Sequence, residues 1–235
     1  MGKKKLKRFK ELESLDRVIQ PDFEEVFRKD YRLKGRWAPE LFGNDHPVVL
    51  ELGCGKGEYT LGLARLRPDY NFIGVDIKGA RIWKGANMAH EEKLNNVAFL
   101  RTRIDFITSF FKAGEVNEIW ITFPDPQSKK KRRKKRLSGD LFLNRYRSIL
   151  KDGGRVNLKT DNEELYLYTR ALVSYNELEI LKDSDDVYKE DWDDEVTGIQ
   201  TYYESRFLAG GSRIHFISFT LPASKEIKAL PEAEE

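Results

Sequence analysis

The chain has 235 residues, a net charge of +3, one cysteine and three histidines, the latter at no metal-ligand spacing. That excludes an intrachain disulfide and a Cys-based metal cluster, and no metal is expected. No apolar run approaches the roughly 18 residues of a membrane helix, and the start MGKKKLKRFK has no apolar stretch typical of a secretion signal, so a cytoplasmic protein with no membrane partner is expected.

Residues 1–15 read as a basic flexible arm, residues 16–222 as a single domain, and residues 223–235 as a charged, disordered tail. Short helical stretches and turns are expected over residues 16–47. From there an alternation begins. Val48–Leu52 reads as a buried strand, Glu58–Leu66 as a helix, Asn71–Asp76 as a second strand and Ala80–Lys93 as a long helix. Val97–Leu100 and Asn117–Phe123 are the third and fourth strands, followed by a helix over Asp140–Leu150 that stops at Gly153-Gly154. Arg155–Leu158 is a fifth strand, and Glu163–Tyr175 another helix. Strands alternating with helices of this length make βαβ units and a mostly parallel sheet, here a Rossmann-like α/β fold. Glu177–Leu181 and Arg213–Thr220 lack a full helix between them and read as an antiparallel C-terminal edge.

The charge is segregated. Residues 3–10 carry six bases, Lys129–Arg136 are eight bases without a break, and the rest of the chain is acidic, with 28 bases against 39 acids. A basic block inside a folded pattern repels itself unless it meets a polyanion, of which nucleic acid is the commonest.

The first strand runs into Glu51-Leu52-Gly53-Cys54-Gly55-Lys56-Gly57. A strand, a glycine turn and a helix form a nucleotide-binding corner. The dinucleotide spacing would put the third glycine at position 58, but here it falls at Gly57 and an acid precedes the loop. A carboxylate would repel a pyrophosphate and suits a ligand with an ammonium group, so S-adenosylmethionine is favoured over NAD. Gly53 and Gly55 would let the backbone approach the cofactor, Glu51 would face its charged end, and Asp76, at the end of the second strand, would accept from the ribose hydroxyls. A tight turn with a capped loop acid would use the same residues. Cys54 reads as a small packed side chain, and no spare cysteine exists for methylation at cytosine C5.

The fourth strand ends in Phe123-Pro124-Asp125-Pro126-Gln127, and the basic run follows. Ligands of open α/β sheets sit beyond the carboxyl ends of the strands, which puts Asp125 near the reacting centre on a loop stiffened by two prolines. A simple turn would also use these residue types. The Asp/Asn-Pro-Pro-aromatic pattern of amine methylation is incomplete here.

Glu51–Gly57, Phe123–Pro126 with its Lys/Arg run, Lys159-Thr160-Asp161-Asn162 and Thr201-Tyr202-Tyr203-Glu204 together resemble the bacterial tRNA (guanine-N7-)-methyltransferase family, the TrmB type, over roughly residues 45–220. The resemblance implies a class I methyltransferase fold and transfer of a methyl group from S-adenosylmethionine to N7 of guanine 46 in the tRNA variable loop. A monomer or homodimer is expected, and the sequence does not distinguish the two. It implies cofactor contacts at Glu51, Asp76 and Asp125, with Asp125 also catalytic. Substrate contacts are implied at Lys129, Asp161, Thr201, Tyr202, Tyr203 and Glu204, and RNA contacts at Lys131, Arg132, Arg133, Lys134, Lys135 and Arg136. Two positions depart from the family: Gln127 stands where tryptophan is usual, and Arg103 where Asp or Asn lies near the adenine, with Asp105 two residues on. Asp161 also stands where a helix cap is expected. Glu204 could accept from the N1–H and N2–H edge of guanine, which adenine lacks. The alternatives are another S-adenosylmethionine-dependent methyltransferase, acting on an adenine amine or a protein, and a non-catalytic RNA-binding module.

Overall fold

The computed structural model describes residues 11–192 and 194–231. Its strands are β1 (Val18–Ile19), β2 (Val48–Leu52), β3 (Asn71–Asp76), β4 (Val97–Arg101), β5 (Val116–Thr122), β6 (Leu150–Thr160), β7 (Ile180–Ser184) and β8 (His215–Thr220). They form one sheet in the order β1-β4-β3-β2-β5-β6-β8-β7. The pairs from β1 to β6 are parallel, and β8 runs antiparallel to both β6 and β7. The expected Rossmann-like sheet with an antiparallel C-terminal edge is therefore present.

Strand periodicity explains the two cores. Val48, Leu50 and Leu52 pack into the apolar cluster on one face, and Val49 into the cluster on the other. Successive side chains point to opposite faces, so Glu51 falls on the Val49 face, against the Glu58–Leu66 helix. That helix buries Tyr59, Leu61, Leu63 and Ala64 in the same cluster. The chain moves outward from β2 through β3 to β4, then returns to β5 on the other side of β2. This reversal opens a crevice beyond the carboxyl ends of β2 and β5.

Several expectations need correction. The segment 16–47 contains a two-residue strand, β1, too short to show a period; it pairs with Phe99 and Leu100 of β4. The Asp140–Tyr146 helix stops earlier than expected, and β6 starts at Leu150 and takes in Gly153 and Gly154. Its register with β5 shifts between Val116 and Glu118, and Gly153 absorbs the irregularity at φ 71°. Between β7 and β8, where the sequence allows a turn or short helix, stands the eight-residue helix Tyr202–Ala209.

Neither described end of the chain is loose. Leu12 is fully buried, and Trp83 Nε1 donates to Glu11 Oε2 at 2.6 Å, so residues 11–15 are not part of an arm; residues 1–10 lie outside the described residues. In the expected tail, Ile227 is buried in the main core. Asn144 brackets Ile227, accepting from its N–H at 3.0 Å and donating to its carbonyl at 2.8 Å, and Asn176 does the same for Lys228 at 2.8 and 2.9 Å. The rest of that expectation, residues 232–235, is also outside the described residues. Ile227→Ala should therefore lower unfolding free energy by about 2–5 kcal/mol, as for other buried Ile truncations. Urea denaturation reads this, and a free tail would give no change.

Candidate active site

The glycine loop is built on positive φ angles: 81° at Gly53, 56° at Gly55 and 72° at Gly57. Glycine adopts these without steric cost. Gly57 is constrained twice over, because a Cβ there would stand 2.6 Å from the Phe99 ring. Gly53 and Cys54 N–H both donate to the Val75 carbonyl, at 2.8 and 3.1 Å, which fastens the loop to the end of β3. Cys54 is buried and its thiol pKa is pushed up by burial, the state of an inert packed side chain.

Glu51 is 3% exposed. Its Oε2 accepts from the Thr60 N–H at 2.8 Å and from the Thr60 hydroxyl, and its Oε1 accepts from the Thr122 hydroxyl at 2.6 Å. A carboxylate offers about four acceptor positions, so one remains on Oε1. No cation pairs with Glu51 among the described residues, and burial raises its pKa to about 7, against the pull of the threonine hydrogen bonds. Asp76 is likewise nearly buried. Its Oδ2 accepts from Gly55 N–H at 3.0 Å and its Oδ1 from Lys78 N–H at 2.7 Å, which leaves two acceptor positions.

Two clefts meet at Gly53. One is lined by Glu51, Gly55, Tyr59, Thr122, Thr201 and Tyr203. The other is lined by Asp76, Ile77, Thr102, Ile104, Leu137 and Phe142. The residues fit S-adenosylmethionine: an unpaired buried carboxylate for its ammonium in the first cleft, and two open acceptor positions on Asp76 with apolar walls for its adenosine in the second. Arg103 and Asp105 also line the second cleft, where they pair with each other at 3.2 Å.

On the acceptor side, Asp125 is exposed, and its Oδ1 accepts from Gln127 N–H at 3.2 Å. The loop is pinned at both ends by positive φ, 47° at Phe123 and 51° at Gln127. Lys129 is exposed, and Lys130–Lys135 form a short 3₁₀ helix that places Lys131, Arg132, Arg133, Lys134 and Lys135 at the surface. Arg136 does not join them. It is 2% exposed, donates to the Pro126 carbonyl at 3.1 Å and to Glu164 Oε1 at 2.5 Å, and lies over the Tyr168 ring. The expected RNA contact at Arg136 is corrected to an internal clamp, because the guanidinium is already occupied by these three partners.

Asp161 follows β6 directly and is half-buried, with its pKa raised by burial. The cap of the following helix is Asn162, whose side chain accepts from Leu165 N–H at 2.8 Å, so Asp161 is not used as the cap. Thr201 and Tyr203 line the first cleft, and Tyr202 and Tyr203 are half-exposed. Glu204 is fully buried and bonded to Lys159, so the expected contact of Glu204 with a guanine edge is also corrected.

The structure thus gathers Glu51, Gly53, Gly55, Thr201 and Tyr203 at one cleft and Asp76 beside it. Sequence reasoning missed Thr122, Thr60 and Lys159. Thr122 was accessible through register: Glu51 pairs with Trp120, and two residues on is the same face. Lys159 stands in a motif read only for Asp161. Among the described residues no group of three or more His, Cys, Asp or Glu could hold a metal ion, and no helix is long and apolar enough to cross a membrane.

The raised pKa of Glu51 has a stability consequence. At low pH the group is protonated in both folded and unfolded chains. Between about pH 4.5 and 7 only the unfolded chain loses the proton, so stability should fall with rising pH by roughly 3 kcal/mol and then level off. Glu51→Gln should flatten this decline, as measured by urea unfolding of the ligand-free protein at about pH 5 and about pH 7.5.

A family model described as "Putative methyltransferase" matches residues 45–217. A tRNA (guanine-N(7)-)-methyltransferase of Christiangramia forsetii is 54% identical over 94% of this chain and 99% of its own length. The enzyme of the same name from Bacteroides thetaiotaomicron is 48% identical over 94% of this chain and 87% of its own. Among solved structures, the 16S rRNA methyltransferase KamB superposes with a TM-score of 0.59 at 14% identity, covering 78% of this chain and 91% of that one. A 16S rRNA (adenine(1408)-N(1))-methyltransferase of Catenulisporales acidiphilia, solved with S-adenosylmethionine, gives a TM-score of 0.54 at 13% identity, covering 83% of this chain and 91% of that one. These two establish the fold alone. With the fold, the cofactor clefts and relatives at this identity in agreement, the chain belongs to the tRNA (guanine-N(7)-)-methyltransferase family, whose methyl donor is S-adenosylmethionine.

Proposed function

We propose that this protein methylates N7 of guanine 46 in the variable loop of tRNA, forming 7-methylguanosine, and works in the cytoplasm as a monomer or homodimer. One observation carries the reading: the strand whose Thr122 lines the cofactor cleft runs, three residues on, into an exposed carboxylate, Asp125, and an exposed cationic helix follows within five more.

S-adenosylmethionine, when bound, would supply an electrophilic methyl group on a sulfonium. Glu51 would hold its ammonium end, Gly53 and Gly55 would let the backbone approach it, and Asp76 would accept from its ribose hydroxyls. Guanine N7 has an in-plane lone pair and no proton to lose, so no strong base is needed. Alignment and electrostatic stabilisation carry the rate. Asp125 orients the guanine and offsets the positive charge that appears on the purine. Lys129 and Asp161 contact the substrate beside it. Tyr202 and Tyr203 offer stacking faces for an unstacked base, and Thr201 lines the same wall. Lys131–Lys135 receive the phosphate backbone.

The reading is tested by incubating the protein with labelled cofactor and unmodified tRNA transcripts, then identifying the nucleoside. 7-Methylguanosine that disappears when guanine 46 is replaced supports it. Label in adenosine or in protein, or cofactor binding without any transfer, would replace it with one of the alternatives. Asp125→Ala should lower turnover by about tenfold or more, the scale of one preorganised interaction, with tRNA affinity nearly unchanged. A second prediction separates the exposed cations from the clamp. Replacing Lys131, Arg132 and Lys134 by Gln should weaken tRNA binding and flatten its salt dependence by about 0.7–0.9 logarithmic units for each phosphate that is no longer neutralised. Arg136→Gln should leave that slope unchanged and lower turnover through the displaced Pro126 carbonyl.

A further inference from the structure

The wall of the first cleft that carries Thr201 and Tyr203 does not belong to the sheet. It comes from the connection between β7 and β8, and something must hold it at the sheet edge. Within that connection a four-residue helical turn, Glu195–Gly198, precedes the Tyr202–Ala209 helix.

Lys159, near the end of β6, is fully buried. Its ammonium has three donors and three acceptors around it: the Val196 carbonyl, the Ile199 carbonyl at 3.2 Å and Glu204 Oε1 at 2.6 Å. All three acceptors lie in the connection. Glu204, also fully buried, accepts from the Tyr188 hydroxyl at 2.8 Å on Oε1 and from Thr201 N–H at 3.3 Å on Oε2. Thr201 Oγ1 accepts from Glu204 N–H at 3.2 Å, which closes a capping box. The connection touches the glycine-loop side as well: Tyr59 donates to the Glu195 carbonyl at 2.6 Å, and Tyr202 N–H to Glu58 Oε2 at 2.9 Å.

We propose that the Lys159–Glu204 ion pair is a latch that positions Thr201 and Tyr203 against the cofactor cleft, so that Glu204 acts as a positioning residue for S-adenosylmethionine binding and does not read guanine. The ammonium neutralises the carboxylate, ties down two carbonyls of the turn before it, and fixes the register of the helix that Thr201 starts. Removing either charge leaves the other buried without its counter-charge, and the wall is then free to move. The inference rests on the assignment of the cleft to S-adenosylmethionine and not on the identity of the acceptor.

The test is calorimetric binding of S-adenosylmethionine, without tRNA, to the full-length protein and to Glu204→Gln, Lys159→Gln and the charge-balanced double variant. The latch predicts that each single variant binds the cofactor about tenfold more weakly or worse, the scale of a misplaced binding wall. It also predicts that the double variant is no worse than either single one, since both residues act through one interaction. Cofactor binding by Glu204→Gln within about twofold of the parent, with loss appearing only in tRNA methylation, would overturn the proposal and return Glu204 to the guanine. Should a single variant not fold, the double variant decides: parental affinity overturns the latch, and weakened affinity supports it. Parent protein that binds no S-adenosylmethionine would instead defeat the cofactor assignment of the cleft.

Discussion

The buried carboxylate of Glu51 is the constraint around which the site is organised. An acid on an apolar sheet face is costly unless its oxygens are satisfied. The fold meets that cost with two threonines from different elements. Thr60 reaches in from the first turn of the Glu58–Leu66 helix, and Thr122 from the end of β5. Room for Thr60 exists because β3 has glycine opposite Glu51 at Gly74, where a Cβ would lie 2.9 Å from the Thr60 hydroxyl. Helix start, strand end and neighbouring strand are thus committed together. The glycine loop between them has little freedom, and the cofactor meets a site already arranged.

The same logic governs Arg136 and Lys159, the two buried cations among the described residues. Arg136 closes the basic run that invites a nucleic-acid reading, Lys159 stands in a motif read only for Asp161, and both are engaged internally. Arg136 joins the Pro126 carbonyl to Glu164 of the Glu163–Tyr175 helix, so the Asp125 loop is tied to the scaffold from behind. Lys159 does the equivalent for the cleft wall. A buried charge with several backbone acceptors is a poor source of net stability but a strong determinant of geometry, since any other arrangement leaves it unpaired. Positioning of this kind matters most where catalysis is mainly alignment.

Legibility followed periodicity and failed where tertiary contacts decide. Val48–Leu52, Glu58–Leu66, Asn71–Asp76 and Glu163–Tyr175 were readable to the residue because apolar spacing and flanking turns agree. β1 was not, since two residues show no period, and β6 was not, since Gly153 and Gly154 read as a stop whereas the strand bulges through them. Leu12 and Ile227 lie in charged segments, and only their contacts reveal them as core. At the site, the motifs singled out Glu51 and Asp76, which the structure puts at the two clefts, and Asp125, which lines neither; chemistry restricts their type and their place after a strand. Motifs do not say which way a side chain points, and so Arg136 and Glu204 were assigned to the RNA although both are buried.

The charge segregation of the sequence acquires a mechanism when laid on the fold. Methyl transfer to N7 brings a sulfonium to the site and sends a cationic guanine away, so the proposed reacting centre favours carboxylates: Glu51 and Asp76 would face the cofactor, and Asp125 and Asp161 the acceptor. The tRNA that carries the guanine is a polyanion and would be repelled by that same field. The chain resolves the conflict over a short distance. Asp125 stands exposed between Pro124 and Pro126, the Lys130–Lys135 turn presents its cations a few residues on, and Arg136, joining the Pro126 carbonyl to Glu164, ties the two segments to the scaffold. Charged pairs exposed to solvent are screened beyond roughly 8 Å at physiological ionic strength. Carboxylates at the clefts and an exposed basic turn can therefore stand side by side, each acting on its own part of one substrate.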